Sequence, residues 1–161
     1  ALADMRGQGL VKWIGVSTTL PHLPVYLDWG VFDTFQVPYS ALEREHEEWI
    51  TRAADTGVGT VVRGGVARGE PGVDLGGRGR WDTFKRASLD ELLGEDEKSS
   101  AFLLRFALSH PAVHTVVVGT TDVGHLRDNV EAAERGPLPA DVYAEAKRRL
   151  DEAGEKPATA D

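Results

Sequence analysis

The sequence predicts an α/β protein in which four short strands alternate with helices. Short apolar runs rich in β-branched residues alternate with longer amphipathic segments, and glycine or proline stands at many of the boundaries. Hydrophobic residues make up 41% and charged residues 27% of the 161 residues, a balance typical of one folded domain. Strands that alternate with helices indicate βα units and a parallel sheet.

The first half of the chain carries three of the strands. Apolar, β-branched and aromatic residues indicate that the first strand is buried. Gly57 is the C-terminal stop signal of the helix that precedes the third strand. In order, the predicted elements are a helix over Leu2–Gly7, a strand over Val11–Ser17, a helix over Leu20–Trp29, a strand over Asp33–Tyr39, a helix over His46–Thr56 and a strand over Gly59–Arg63.

The second half begins with a long loop from Gly64 to about Ser88, which is rich in glycine. The last strand is a nearly continuous apolar run, which predicts burial on both faces of the sheet. The elements after the loop are a helix over Ser99–Ser109, a strand over Thr115–Gly119 and helices over His125–Ala133 and Ala140–Ala153. We expect a domain over residues 1–154 and a disordered tail over 155–161.

Charge and composition exclude several classes of partner. A net charge of −8 disfavours nucleic acids and anionic membranes, which attract basic surfaces. The absence of cysteine excludes disulfides, a thiolate nucleophile and cysteine-ligated metals, and suits a cytoplasmic protein. No apolar run approaches the ~18 residues of a membrane span. Because the chain starts at Ala1 rather than Met, we expect either processing or a longer parent protein.

Small or polar residues stand at the carboxyl ends of all four predicted strands. In parallel α/β proteins these ends lie at one edge of the sheet and carry the functional groups. Any one of these residues is explained by turn chemistry, but four strand ends of the same kind favour a site. They are Ser17 and Thr18, Gln36, Arg63 to Gly65, and Gly119 to Thr121.

Two segments at this edge suit an anionic ligand. The glycines after Arg63 would let backbone N–H groups approach a phosphate, and the start of the helix after Gly119 favours negative charge. The alternatives are a solvated loop, and a helix start that Thr120 or Thr121 simply caps. Basic residues follow the glycines at Arg68, Arg78, Arg80, Lys85 and Arg86.

A self-contained catalytic or metal site is not predicted. Pro111 breaks the helical register that His110 and His114 would need as metal ligands. His22 and His46 are predicted to be solvated, and so are the acidic residues Glu43, Glu45, Glu47, Glu48 and Glu95 to Glu97.

Several motifs closely resemble the aldo-keto reductase family. They lie in order and at the family's spacing along nearly the whole chain: Lys12-Trp-Ile-Gly-Val-Ser17, Asp33-Thr-Phe-Gln36-Val-Pro-Tyr-Ser40, Gly57 to Gly69, Leu104-Arg-Phe-Ala-Leu-Ser-His-Pro111, and Val118-Gly-Thr-Thr with Leu126-Arg-Asp-Asn129. The resemblance implies strands five to eight, the second half, of a TIM-type (β/α)8 barrel.

The resemblance also implies a nicotinamide site. Ser17 and Gln36 would bind the carboxamide, with Thr18 where the family usually has Asn, and Arg63 would pack on the nicotinamide ring. Gly64, Val66 and Gly69 would line the pyrophosphate. The adenosine end would be held by Gly119, Thr120, Thr121, His125, Asp128 and Asn129. Many relatives have Lys or Arg where this chain has Gly119 and His125. Because this chain lacks those cations, NADP is favoured only modestly, and NAD is the alternative.

The family's catalytic Asp, Tyr, Lys and His belong to the first half of the barrel, and no position here matches their motifs. The first hypothesis is therefore a cofactor-binding half that reduces small carbonyl substrates when its N-terminal half completes it. The second is a stand-alone, inactive half-barrel that serves as a nucleotide-binding or protein-interaction module. Its two edge strands would then need cover, for example in a self-dimer. We expect Trp13 and Trp81 to lie near the cofactor.

Overall fold

A computed structural model describes residues 1–67 and 78–160 and confirms the α/β class. Four parallel strands form one sheet in the order β1-β2-β3-β4, so each strand pairs with the next one along the chain. This order is that of consecutive units in a (β/α)8 barrel, and the sheet corresponds to half of one. The strands are β1 (Gly15–Ser17), β2 (Thr34–Pro38), β3 (Gly59–Arg63) and β4 (Thr115–Val117).

Helices connect the strands and follow the last one. They are α1 (Leu2–Gly7), α2 (His22–Asp28), α3 (Glu47–Asp55), α4 (Arg78–Arg86), α5 (Ser99–Leu108), α6 (Val123–Glu134) and α7 (Ala140–Glu152), with a 3₁₀ turn at Leu89–Leu92. The predicted loop from Gly64 to Ser88 is wrong at its end, because α4 forms there. Trp81 and Phe84 on α4 are buried in the core, so packing rather than local propensity stabilises this helix.

The helices pack on one face of the sheet. Phe35, Val37 and Val62 point to this face and join a core with Phe102 and Phe106 of α5. Strand residues alternate between faces, so the neighbouring positions point the other way. That opposite face carries the row Ser17, Gln36, Val61 and Thr115, which the strand register places side by side. It would be the interior face of a closed barrel.

The two outer strands are shorter and less buried than the sequence predicts. Residues Gly15 and Ser17 of β1 are exposed, as are Thr115 and Val117 of β4, and only the middle residue of each strand is half-buried. Both strands are edges of the sheet, so no further strand of the described chain shields them. The prediction of buried strands is therefore wrong at both positions.

Two carboxylates that were predicted to be solvated are buried. Glu47 pairs with Arg44, whose Nε donates to its Oε2 at 2.6 Å. Glu97 accepts from Arg105 Nη1 at 2.6 Å, and Arg105 also donates to the carbonyl oxygen of Gly136 at the end of α6. Each carboxylate is buried because a specific arginine satisfies it.

Residues after α7 lie against the loop before α3 and against α3 itself. The Ala158 N–H donates to the Glu45 carbonyl oxygen, and the Ala160 N–H donates to the Glu48 carboxylate. The Glu155 carboxylate accepts from the Arg44 N–H at 2.8 Å. These contacts favour an ordered tail over the disordered one that the sequence predicts. The domain limits at 1–154 stay a proposal.

No helix in the described ranges is long and apolar enough to cross a membrane.

Candidate functional site

The carboxyl ends of the strands bring several of the predicted residues together, in a group we call the rim: Ser17, Thr18, Gln36, Arg63, Gly64 and Val66. Ser17 lies directly beside Gln36 in the register of β1 and β2. Because neighbours in register point to the same face, both side chains project from the open face. Arg63 ends β3 opposite Pro38. Its guanidinium is half-buried and has no ion-pair or hydrogen-bond partner among the described residues, so it is free to contact a ligand.

The loop after β1 is held at both of its ends. The Thr18 N–H donates to the Gln36 carbonyl oxygen at 3.0 Å, which continues the ladder between β1 and β2 past Ser17. The Leu20 N–H donates to Nε2 of His46 at 3.1 Å. The solvated position predicted for His46 is wrong, because the side chain is only 2% exposed under this loop.

Glycines after β3 shape the next part of the rim. Gly64 has φ of 76°, in the left-handed region that favours glycine, and Gly65 is buried. The N–H groups of Gly64, Gly65 and Val66 have no partner in the described backbone. Three adjacent unpaired N–H groups at a strand end can bind an anion such as a phosphate.

An ion pair borders this glycine segment. Glu43 forms a two-pronged pair with Arg80 of α4, and the Glu43 carboxylate lies 4.0 Å from where a Cβ of Gly64 would be. Arg80, one of the predicted basic ligands, is therefore already paired with a carboxylate. Gly69 and Arg68 lie outside the described residues, and so does the side chain of Arg78.

Substituting Gly65→Ala should destabilise the glycine segment. A Cβ at this position would lie 2.9 Å from Cγ1 of Val116, so the loop or β4 must shift. We expect a loss of about 1–3 kcal/mol in the free energy of unfolding, measured by urea denaturation. The double variant Gly65→Ala/Val116→Ala removes the clash and should lose less than the sum of the two single changes. Additive losses would contradict this account.

The start of α6 is capped differently from the prediction. Neither Thr120 nor Thr121 caps it. The Asp122 carboxylate instead accepts from the His125 N–H at 2.9 Å, and Thr120 Oγ1 accepts from the Asp122 N–H. The hydrogen bond from His125 lowers the pKa of Asp122. An ionised carboxylate therefore stands where the adenosine end is predicted. An acidic residue directly before the helical apolar pattern is a recognisable N-cap signal that the sequence analysis missed.

The remaining predicted residues of α6 and its preceding loop do not form an enclosed site. Gly119, Thr120, Thr121 and His125 are exposed, and Asp128 and Asn129 are half-buried. Asp128 accepts from Lys98 Nζ at 2.7 Å. These side chains lie on the same carboxyl side of the sheet as the rim, because α6 follows β4.

Two clefts in the described residues lie away from the rim. One, of about 660 Å³, is at the amino ends of the strands and is lined by Trp13 and Phe32. Trp13 therefore lies at the opposite end of β1 from the rim, and the expectation that it neighbours the cofactor is wrong. Trp81 is buried beside Phe84 on α4.

The other cleft, of about 740 Å³, lies between α3 and α7. Tyr143 and Lys147 line it together with His110 and Glu47, a set that superficially suggests acid–base chemistry. Burial raises the pKa of Tyr143 to about 12, so its hydroxyl keeps its proton at neutral pH. Among the described residues, no group of three His, Asp or Glu side chains could hold a metal ion.

Comparisons with known proteins agree with this architecture. The family model "Aldo/keto reductase family" matches residues 86–151. The "Uncharacterized oxidoreductase YqkF" of Bacillus subtilis is 24% identical over 147 residues, which cover 83% of this chain and 48% of the relative. The solved structure of aldo-keto reductase AKR11C1 from Bacillus halodurans in its holo form has a TM-score of 0.74 and 29% identity, and the match covers 91% of this chain and 53% of that one. Its apo form matches with the same TM-score and identity.

The chain thus spans about half the length of these relatives. The matched family model, the oxidoreductase relative and the shared parallel fold support an aldo-keto reductase fragment.

Proposed function

We propose that this chain is the cofactor-binding half of an NAD(P)H-dependent carbonyl reductase. The observation that carries the proposal is the rim, where Ser17 and Gln36 stand side by side. Next to them are Arg63 and the N–H groups of Gly64 to Val66, which have no partner among the described residues. This combination suits a nicotinamide dinucleotide. Polar side chains can hydrogen-bond its carboxamide, a planar guanidinium can stack on its nicotinamide ring, and N–H donors can bind its phosphates.

Each group has a distinct task in this proposal. Ser17 and Gln36 hydrogen-bond the carboxamide and fix the orientation of the ring. Arg63 stacks on the ring, and Gly64 with Val66 holds the pyrophosphate through backbone N–H groups. A reduced nicotinamide bound here would supply a hydride to a carbonyl substrate and would itself be oxidised. The proton donor for the resulting alkoxide is not among these residues, so we assign no catalytic residue in this chain.

The surface of the half-barrel supports completion by further βα units. Exposed apolar side chains gather at both edges of the sheet. Near β1 they are Leu2, Met5, Leu10 and Trp13, and near β4 they are Val117, Val123, Leu126 and Val130. Exposed edge strands with apolar neighbours need cover, because they otherwise pair with other chains. We propose the N-terminal half as the cover. A self-dimer is the alternative, in which the half-barrel is an inactive nucleotide-binding or interaction module in the cytoplasm.

Cofactor binding tests the proposal. We titrate the protein with NADP⁺ and NAD⁺ by calorimetry, and expect Gln36→Leu to weaken both by about tenfold through loss of an amide hydrogen bond. Gln8→Leu, an exposed change next to α1, is the matched control and should leave affinity unchanged. Failure of both nucleotides to bind would overturn the proposal. Because the chain carries no proton donor, binding without aldehyde reduction fits both alternatives. Reduction that begins when an N-terminal half is supplied favours the completed enzyme, and its absence even then favours the inactive module.

Asp122 determines how far NADP is preferred over NAD. Its carboxylate opposes the 2′-phosphate, which only NADP carries. Asp122→Asn keeps a good N-cap but removes the charge. We expect it to strengthen NADP⁺ binding by about threefold to tenfold and to leave NAD⁺ binding unchanged. Equal effects on the two nucleotides would place the 2′-phosphate elsewhere.

A further inference from the structure

We propose that His46 is a positioning residue for the nicotinamide site: its unprotonated Nε2 holds the loop from Thr18 to Leu20 in place, and protonation of the ring releases that loop. The inference rests on the proposed function, because it assigns a purpose to the loop that carries Thr18. The first observation is the hydrogen bond from the Leu20 N–H to His46 Nε2 at 3.1 Å. A ring nitrogen that accepts a hydrogen bond carries no proton.

The surroundings of the imidazole make this bond specific. The ring is 2% exposed, and its Nδ1 has no hydrogen-bond partner in the part of the chain that the structure describes. With Nε2 as the acceptor, the neutral ring carries its proton on Nδ1. A second proton would have to go on Nε2, which would turn the acceptor into a donor that faces the Leu20 N–H. Protonation and the bond to Leu20 therefore exclude each other.

The Leu20 N–H ties the loop directly to the rim. Thr18 is two residues before it and is 8% exposed, and its own N–H donates to the Gln36 carbonyl oxygen. The loop is therefore fixed on one side by β2 and on the other by His46. Loss of the second attachment leaves the loop supported by the sheet ladder at Thr18 and by the hydrogen bonds that the Thr19 carbonyl oxygen accepts from the first turn of α2. Because a mobile loop must be ordered when a ligand binds, cofactor affinity should fall.

Burial first, and then the charged groups around the ring, set the pH at which it takes up a proton. Glu43 and Glu45 face it from its own loop, and Arg63 faces it from the end of β3. Burial lowers the pKa of His46 below its usual value, and the two glutamates offset only part of this. The lowered pKa keeps the ring neutral, and the loop attached, at neutral pH. The loop is then released only in acid.

Two substitutions separate the role of His46 as a hydrogen-bond acceptor from its ability to take up a proton. His46→Gln places an amide oxygen near the position of Nε2 and cannot take up a proton, whereas His46→Leu removes the acceptor. His22→Gln is the matched control, because His22 is exposed on α2 just beyond the same loop. NADP⁺ affinity is measured by calorimetry from about pH 8 to about pH 4.5, which extends below the range in which an ordinary histidine titrates because the pKa of His46 is lowered.

We expect the parent and His22→Gln to lose affinity in acid, by up to about tenfold for each pH unit below the pKa of His46. The affinity of His46→Gln should lack this decline, and that of His46→Leu should be low at every pH. The 2′-phosphate of NADP⁺ has its own pKa of about 6, but it affects all variants alike. An unchanged pH profile in His46→Gln, or parent-like affinity in His46→Leu at the highest pH, would overturn the proposal.

A second readout does not depend on the cofactor. In nuclear magnetic resonance spectra, the Leu20 amide signal should shift with pH in the parent and in His22→Gln, and stay constant in His46→Gln. If no variant binds NADP⁺ while the Leu20 signal titrates as expected, the proposed function fails and the attachment by His46 stands. A Leu20 amide that ignores pH in the parent overturns the role of His46 itself.

Discussion

Replacing Arg44 with methionine should lower the free energy of unfolding by about 3–5 kcal/mol, because the change removes the arginine partner of the buried Glu47 carboxylate and leaves Lys147 as its remaining cationic partner. Arg44 is 1% exposed, and its Nε donates to Glu47 at 2.6 Å. Its Nη1 donates to Asp151 at 2.7 Å and to the Glu155 carbonyl oxygen at 3.0 Å. One side chain therefore attaches the loop before α3 to α7 and to the residues that follow α7. Urea denaturation measures the loss.

Arg148→Met is the matched control. Arg148 forms two ion pairs, with Glu145 and Glu152, but it is 54% exposed on α7. Exposed pairs contribute little, so this change should cost less than about 1 kcal/mol. The double variant Arg44→Met/Glu47→Met removes the buried carboxylate together with its arginine. The decrease in the free energy of unfolding should therefore be smaller than for Arg44→Met alone. A similar loss for Arg44→Met and Arg148→Met would contradict the account.

The same cluster should make the protein sensitive to alkali. The Tyr39 hydroxyl is 3.3 Å from Glu47 Oε2 and 3.3 Å from the Tyr143 hydroxyl. Burial raises the pKa of Tyr39 well above its usual value, and the charge of Glu47 raises it further. Burial raises the pKa of Tyr143 to about 12. Ionised tyrosine is thus disfavoured in the folded state but not in the unfolded chain.

Both tyrosines have a higher pKa when folded, so their contribution is complete below about pH 10 and is lost as pH rises further, that of Tyr143 through its raised pKa of about 12. Each contributes a slope of at most about 1.4 kcal/mol per pH unit to the unfolding free energy. The variant Tyr39→Phe/Tyr143→Phe should lose about 1–3 kcal/mol at neutral pH from missing hydrogen bonds, and its alkaline slope should be shallower. Denaturation curves at several alkaline pH values decide this, and equal slopes in both proteins would contradict it.

The acid side involves different groups. Burial on its own would raise the pKa of Glu47, but the hydrogen bonds from Arg44 and Lys147 outweigh burial and hold it below the usual value. Stability that comes from Glu47 is therefore present above about pH 4.5 and is lost as pH falls through its lowered pKa. Burial lowers the pKa of His110 as well as that of His46. Their contributions to the free energy of unfolding are therefore complete above about pH 6.5 and decrease as the pH falls below it.

Local patterns were sufficient for most of the fold. Strand β3 has the predicted bounds, and most of the predicted helices agree with the structure to within two or three residues at each end. These elements depend on the spacing of apolar residues and on glycine and proline signals, which are local properties of the chain. The sequence did not predict α4, because this helix is stabilised by the burial of Trp81 and Phe84 in the core, where Phe84 packs on Phe102 of the distant α5.

The site was predictable in its position but not in its electrostatics. The edge that carries Ser17, Gln36 and Arg63 follows from the parallel arrangement of the strands. The bond between His46 and Leu20 joins residues 26 positions apart, and the pair between Glu43 and Arg80 joins residues 37 apart. No local pattern encodes such pairs.

Glu47 and Glu48 show most clearly what the sequence determines and what the tertiary structure determines. They are adjacent and chemically identical, and the sequence correctly places both in one helix. Only the tertiary structure determines that Glu47 is buried against Arg44 and Lys147 while Glu48 is exposed. The sequence by itself determined the order of strands and helices and the edge that carries the site, because those follow from local burial patterns. Which charges are buried depends on partners more than a hundred residues away, as Asp151 is from Arg44, and only folding brings them together.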